Sequence, residues 1–289
     1  MNVCIIGEGL TSLSLAKILI NKKINVHIYR EKKKNNSSSN RTIGISKDNF
    51  DFFKSEILNI SKKDTCEIKK IEIYSEKLGN DKILNFSKAG ESLFFLIKNK
   101  LLYSSLNSKL LISKFYKNIT IKNNDFYQKL IQKNKYDLII NCDSSNFIAK
   151  KFFSKTIDKT YNNFAYTAIL QHDSLENNTA IQIFTKYGPI AFLPISKKNT
   201  SVVYSLDFNK NIHDEKKIIS LINKYNPKFS IKNISKLDKF ELKSSNLRNY
   251  YYKNIVAFGD CLHKIHPLAG QGFNMTLRDI KIISKNYPR

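Results

Sequence analysis

The residue types best suited to holding a reactive molecule lie together near the C-terminus, in Gly259-Asp260-Cys261-Leu262-His263-Lys264-Ile265-His266-Pro267-Leu268-Ala269-Gly270-Gln271-Gly272-Phe273-Asn274. Asp260 follows a glycine and can accept hydrogen bonds from ligand hydroxyls. Gly270-Gln271-Gly272 lets the backbone approach a bound group closely, because glycine has no Cβ, and Pro267 stiffens the crossing loop. A helix opening at this turn presents free N–H groups and a positive dipole end to an anion or an electron-rich ring. These are the parts of a cofactor cradle made from backbone and one carboxylate. No Ser, Cys or His nucleophile stands out, so no catalytic side chain is assigned. His263 and His266 form an H-x-x-H pair, but no acidic or cysteine ligand has a matching spacing and Pro267 follows directly. No metal is expected.

A second glycine turn, Gly7-Glu8-Gly9-Leu10-Thr11-Ser12, stands at the opposite end of the chain. Gly7 suits a tight turn and Gly9 lets the backbone approach a pyrophosphate. Ser12 takes the place of a third glycine and is small enough for close helix–strand packing. That fingerprint also calls for an acid at the end of the second strand, to bind a ribose hydroxyl. Counting from Gly7, the position falls on Arg30, with Glu31 beside it. A one-residue slip presents Glu31; a solvated charge opening a polar loop is the competing reading.

The elements needed to position these turns are visible in the hydrophobic pattern. Val3–Ile6 is a short apolar strand, Leu13 to Ile20 an apolar helix, and Asn25–Tyr29 a second strand, giving a βαβ unit around the first turn. Ile255-Val256-Ala257-Phe258 is a buried strand that delivers Asp260, and Met275 to Ser284 continues as a helix. Between them, Phe50, Phe53, Ile57 and Ile60 suit a helix leading to strands near Glu67–Tyr74 and Lys82–Phe86. Leu93, Phe94, Ile97, Leu101 and Leu102 mark an amphipathic helix, and Tyr136–Asp143 a buried strand. From Phe164 the pattern is β-rich, with strands over Ala165–Leu170, Ala180–Thr185, Pro189–Pro194 and Ser201–Leu206. Glu215–Tyr225 forms a helix stopped by Pro227.

Taken in order, Gly259-Asp260, His263, His266-Pro267, Gly270-Gln271-Gly272, Asn274 and Arg278-Asp279 resemble the second FAD motif of the class A flavoprotein aromatic hydroxylases. Within that family the chain is most similar to the ubiquinone-biosynthesis hydroxylases of the UbiH/UbiF/VisC type. The resemblance implies an α/β fold: an FAD-binding Rossmann-like (GR2-type) domain with an inserted β-sheet substrate domain. It divides the chain into the first part of the FAD domain over 1–155, a β-rich substrate domain over 156–245, and a return segment of the FAD domain over 246–289. It assigns Gly7, Gly9 and Ser12 to the pyrophosphate and Glu31 to the ribose. Arg41, in Arg41-Thr42-Ile43-Gly44-Ile45-Ser46, would reach the pyrophosphate or flavin side. Gly259 and Asp260 would serve the ribityl chain; Pro267, Gly270, Gln271, Gly272 and Asn274 would border the isoalloxazine. The implied activity uses FAD with NAD(P)H and O2 to hydroxylate an aromatic ring of a polyprenylated ubiquinone precursor, through a flavin C4a-hydroperoxide. An apolar sheet laid over the flavin would suit such a prenylated phenol.

Two departures qualify that reading. The family's Asp-Gly motif after the strand at 136–143 appears here as Asp143-Ser144, a change that bears on the reductive half-reaction rather than on the fold. Family members also continue with further helices beyond the position of Asp279, whereas this sequence is short at the C-terminus, ending at Arg289. The alternatives are a non-catalytic homologue that binds FAD or a quinone intermediate within a biosynthetic assembly, and a flavin oxidoreductase that inserts no oxygen.

Composition narrows the setting. The 289 residues can form a sizeable core in one or two domains. The net charge of +25 comes from lysines spread among Asn, Ile and Ser along the whole length, with Lys32-Lys33-Lys34 the one run of three. This pattern suits solvated positions and weak attraction to an anionic membrane surface more than nucleic-acid binding, so no nucleic-acid partner is expected. Cys4, Cys66, Cys142 and Cys261 are far apart and form no C-x-x-C pair, as in a reducing compartment. No signal peptide is apparent and no apolar run approaches the ~20 residues that span a bilayer. A cytoplasmic protein, peripheral on the inner membrane through its substrate or ubiquinone-biosynthesis partners, is the expected setting.

Overall fold

A computed structural model of the chain describes residues 1–31, 42–79, 81–121, 125–207, 212, 214–265 and 271–286. The opening unit is β1 (Asn2–Ile6), α1 (Leu10–Asn21) and β2 (Asn25–Glu31). β3 (Thr42–Ser46) and α2 (Lys47–Phe52) come next, with a wider helical turn over Phe53–Ile57. They are followed by β4 (Cys66–Ile68), β5 (Lys70–Ser75), β6 (Asp81–Ser87) and β7 (Phe94–Lys98). The chain then alternates through α3 (Asn99–Leu111), β8 (Tyr116–Ile121), α4 (Asp125–Gln132), β9 (Leu138–Asn141) and α5 (Phe147–Phe152). A β-rich stretch contains β10 (Thr156–His172), β11 (Thr179–Thr185), β12 (Gly188–Ser196), β13 (Asn199–Asp207), α6 (Glu215–Lys224), β14 (Ile231–Ile234) and β15 (Asp238–Leu247). β16 (Tyr251–Tyr252), β17 (Ile255–Ala257), β18 (His263–Lys264) and α7 (Gln271–Asn286) complete the order.

One sheet has the order β16-β17-β9-β1-β2-β8 and is parallel apart from β16. Its strands are apolar on both faces because helices cover both, as parallel sheets require. Val3, Ile5, Val26 and Ile28 pack with Leu13, Leu102 and Leu106 of α1 and α3. Cys4, Ile6 and Tyr29 pack on the other side with Tyr127 and Leu130 of α4 and Ile148 of α5. The return helix α7 adds Leu277 and Ile280 to the α1 side, which ties the chain's two ends into one core.

A 9-stranded, mainly antiparallel sheet has the order β18-β15-β10-β13-β12-β11-β5-β6, with β14 beside β10. Its buried face, including Ile190, Phe192, Val202 and Tyr204, packs against Ile218 and Ile222 of α6. β5 and β6 belong to this sheet through the parallel pairing of β5 with β11, although in sequence they precede the β-rich stretch. The division at 155 and 245 expected from sequence therefore places 70–87 in a different segment from the strands they join in space. β18 crosses back in the same way by pairing with β15.

The helix expected from Leu93 through Leu102 is corrected by the structure. Phe94–Lys98 is β7, the centre of a small sheet of order β3-β7-β4, and the helix starts only at Asn99. Phe94-Phe95-Leu96-Ile97 is a continuous apolar run, and a run of that length fits strand or helix equally until partners exist. Here the ladders to β3 and β4 decide it. The small sheet meets the large one through Ile68, Leu96 and Ala180, with Leu193 packed against them.

Candidate cofactor and substrate site

Three turns collect at the C-terminal edge of adjacent parallel strands β17, β9 and β1. Gly7 follows β1, Cys142-Asp143 follows β9, and Gly259-Asp260 follows β17. The carboxyl ends of parallel strands form the usual ligand crevice of open α/β sheets. Gly7 has φ +111°, and its N–H donates to Tyr29 O at 2.9 Å. A Cβ at Gly7 would lie 3.5 Å from both Cys142 Cβ and Ser12 Oγ, so the turn runs close under the β9 loop. Ser12 is fully buried, as its place in the glycine fingerprint demands.

Gly9 precedes α1 and would meet nothing within 4 Å if it carried a Cβ. The first turn of α1 has no acidic residue and no side-chain cap. Gly272, in the first turn of α7, has the same open surroundings. Gly259 is different. Its φ is +59°, and a Cβ there would lie 2.5 Å from Thr11 Cγ2. The second turn is thereby keyed onto the first turn of α1, with Asp260 exposed beside it. An open helix N-terminus, two glycines without neighbours and an exposed carboxylate fit a dinucleotide with a pyrophosphate and hydroxyls.

The residues expected at the ribose end take separate faces of β2. Arg30 Nη1 contacts Glu8 Oε2 at 3.3 Å, and its Nε donates to Thr120 Oγ1 at 3.3 Å. Glu31 lies on the other face, where Tyr127 Oη donates to its Oε1 at 2.6 Å. Burial and the Glu31 carboxylate together push the Tyr127 phenol far up. Behind the β9 turn, Asn141 and Asn146 hold each other by reciprocal amide bonds of 2.6 and 3.3 Å, and Asn146 caps α5. Asp143 Oδ1 accepts from Ser145 N and Oγ, so part of this carboxylate serves its own turn. Burial pushes the Cys142 and Cys261 thiols up to about 12, which leaves both protonated beside the turns.

Asn274 acts as a staple between α7 and the small sheet. Its Oδ1 accepts from Ser46 N and Asn49 Nδ2 at 2.9 Å, and its Nδ2 donates to Gly44 O at 2.8 Å. Gln271 opens α7 in an exposed position. Arg41, Pro267 and Gly270 lie outside the described residues, as does His266. His263 is buried on β18 with Nε2 3.8 Å from Asp279 Oδ2 on α7. Burial raises the Asp279 carboxyl, an effect the nearby His263 opposes. A cavity of about 420 Å3 beside Asp260 is lined by Ser144, Phe153, Lys159, Lys243, Leu247 and Lys264 among others.

The large sheet supplies a second surface. Opposite its buried face, the ladder registers bring Pro189, Ala191 and Leu193 of β12 alongside Val203 of β13 and Thr167 of β10. These side chains are half-buried where their strand neighbours are fully buried. In sequence the residues of this stretch read as one undivided apolar sheet. The register separates them into two faces, and β-strand alternation is the signal that could have done so.

No family model matches the chain. It is 25% identical to the ubiquinone biosynthesis monooxygenase COQ6, mitochondrial, of Dictyostelium discoideum, with 66% of this chain and 52% of the relative covered. It is 26% identical to the protein of the same name in Caenorhabditis elegans, covering 68% of this chain and 56% of the relative. The chain spans about half the length of these curated relatives. Among solved structures, PqsL, a probable FAD-dependent monooxygenase from Pseudomonas aeruginosa, superposes with a TM-score of 0.75 at 13% identity, over 99% of this chain and 85% of that one. p-Nitrophenol 4-monooxygenase PnpA from Pseudomonas putida gives 0.75 at 12% identity, over 99% and 78%. The chain accordingly shares the mixed α/β fold of these monooxygenases, with a Rossmann-like parallel sheet.

Proposed function

We propose that this chain is an FAD-dependent monooxygenase that hydroxylates an aromatic ring of a polyprenylated ubiquinone precursor, with NAD(P)H and O2 as co-substrates. The observation that carries the reading is the contact of Gly259 with Thr11, which joins the two glycine turns into one cradle at the edge of the parallel sheet. The names of the COQ6 relatives support the substrate class. FAD, when bound, would supply the redox chemistry between a reduced nicotinamide, dioxygen and the aromatic ring. In this reading Gly7 and Gly9 give the pyrophosphate its close approach, and the N–H groups of α1 meet its charge. Asp260 accepts from the ribityl hydroxyls. Arg41, Pro267, Gly270, Gln271, Gly272 and Asn274 complete the flavin surroundings, Asn274 by fastening α7 to β3. The half-buried sheet face at Ala191 and Val203 orients the apolar substrate and keeps water from the reacting ring.

No helix among the described residues is long and apolar enough to cross a membrane. A prenylated substrate would bring the protein to a membrane surface, and a net charge of +25 favours an anionic one. The second reading, a non-catalytic binder of FAD or a quinone intermediate, is favoured by one feature. Asp143 is engaged by Ser145 in the turn where the resemblance implies an Asp-Gly motif.

The test is the visible spectrum of the purified protein, before and after anaerobic addition of NADH or NADPH in the presence of a prenylated phenol. Bound flavin that bleaches and then reoxidises in air, with a hydroxylated product, is expected. Flavin that stays oxidised in the presence of substrate supports the binder. No flavin after reconstitution with FAD sinks the monooxygenase and leaves a homologue that does not bind the cofactor.

A further inference from the structure

The dinucleotide fingerprint asks for a carboxylate at the end of β2, yet the position counted from Gly7 is occupied by Arg30. The neighbouring acid, Glu31, shares its strand face with Tyr29, which is buried against α4. Its carboxylate is bonded to Tyr127 of that helix at 2.6 Å, so the group points to the α4 side of the sheet. Arg30 shares the opposite face with Ile28, which packs on the α1 and α3 side.

On that side a carboxylate is present, delivered by the loop instead of the strand. Glu8 stands between the two glycines of the turn, with Oε2 3.3 Å from Arg30 Nη1 and its side chain 30% exposed. Burial, with the Glu8 carboxylate nearby, pushes the phenol of Tyr103 on α3 up. Arg30 is itself held by Thr120 of the adjacent strand. The carboxylate is thus held beside a guanidinium that is itself positioned from the adjacent strand. An unpaired acid in this turn would repel a pyrophosphate; the Arg30 charge offsets that repulsion at short range.

We infer that Glu8, oriented by Arg30, is the acid that accepts a hydrogen bond from the adenosine ribose 2′-hydroxyl of the bound dinucleotide, and that Glu31 is not. The inference rests on the flavin reading above and concerns one subsite within it. It makes Glu8 a binding residue and Arg30 a positioning residue. The charge order expected along β2 is exchanged with the glycine turn, so that the net charge of the Glu8–Arg30 pair is zero where the fingerprint has a lone acid.

The test is titration calorimetry on the full chain with ADP and 2′-deoxy-ADP as probes, FAD binding being followed in parallel by flavin fluorescence. Wild type and Glu31→Ala should prefer ADP by about tenfold, the size of one charge-assisted hydrogen bond. Glu8→Ala should bind the two probes within about twofold of each other, with its melting temperature retained. Should Glu8→Ala fail to fold, Glu8→Gln keeps the side-chain shape and should reduce the preference to about threefold. A preference that stays at the wild-type size in the Glu8 variants, or one that vanishes in Glu31→Ala, overturns the assignment while leaving FAD binding intact. So does the absence of any preference in a wild type that binds FAD. A wild type that binds neither FAD nor ADP overturns the flavin reading together with it.

Discussion

At the edge of the parallel sheet, backbone turns after β1, β9 and β17 meet one another, whereas the large antiparallel sheet presents a broad face of side chains. The first region depends on atoms that are missing: no Cβ at Gly9 or Gly272, and none tolerated at Gly259. The second depends on which side chains alternate to which face, with Ile190, Phe192, Val202 and Tyr204 turned to α6 and Ala191 and Val203 turned away. A cofactor with an invariant pyrophosphate can be held by backbone, which every sequence shares. A substrate that differs between enzymes has to be recognised by side chains. The difference explains why one region has a motif and the other has only a pattern.

The sharpest way to break this comparison is at Gly259. Gly259→Ala puts a methyl group 2.5 Å from Thr11 Cγ2 in a left-handed backbone conformation. A loss of about 3 kcal/mol in stability is expected, together with loss of FAD binding, seen in thermal melts and flavin fluorescence. Adding Thr11→Ser removes Cγ2 and should recover part of the stability, although the strained φ remains. An unchanged affinity for FAD in Gly259→Ala would separate the two turns and dissolve the cradle.

A smaller effect is expected in the large sheet, at Glu72. Burial works against its ionisation, but hydrogen bonds from Lys82, Lys70 and Tyr74 override it and hold the carboxyl at about 2, down from 4.5. A depressed carboxyl contributes stability above its unfolded value and loses that contribution as pH falls through its folded value. Glu72→Gln should therefore cost on the order of 1 kcal/mol at pH 7, with the gap to wild type closing as pH falls below 4.5 toward 2. FAD affinity should not change, since Glu72 belongs to the sheet and not to the cradle. A constant gap across that pH range would remove the ion-pair explanation.

The smallest change in stability, and the most selective in function, is expected from Ala191→Met. Ala191 is half-buried on the face away from α6, so the larger side chain should shift stability by less than about 0.5 kcal/mol. The KM for a prenylated phenol should change by roughly tenfold while FAD binding stays as in wild type. Equal turnover in the variant would move the substrate elsewhere on the sheet.

Much of the cradle was legible in the sequence, for a definite reason. Gly7, Gly9, Gly259 and Asp260 stand beside short apolar strands, and the positive φ of Gly7 and Gly259 is a backbone conformation that favours glycine. Glu31 was harder. Its neighbour Arg30 occupied the expected place, and only the pairing of β2 with β8 and the packing of α4 reveal which face each side chain takes. Asn274 belongs to the flavin motif by resemblance, yet its bonds to Ser46, Asn49 and Gly44 reach across more than two hundred positions of chain, which no local pattern encodes.

What the sequence determined by itself is the βαβ opening, the buried strand ahead of Asp260 and the β-rich middle, because hydrophobic period and glycine placement are local properties. What only the tertiary structure decided is partnership. Phe94–Lys98 is a strand because β3 and β4 flank it, and residues 70–87 join the large sheet because β11 offers an edge to β5. Glu8 meets Arg30 because the turn after β1 lies beside the end of the adjacent strand β2. Each of these rests on hydrogen-bonding edges and charges that have no partner until the chain has folded, and a one-dimensional pattern cannot say which partner will arrive.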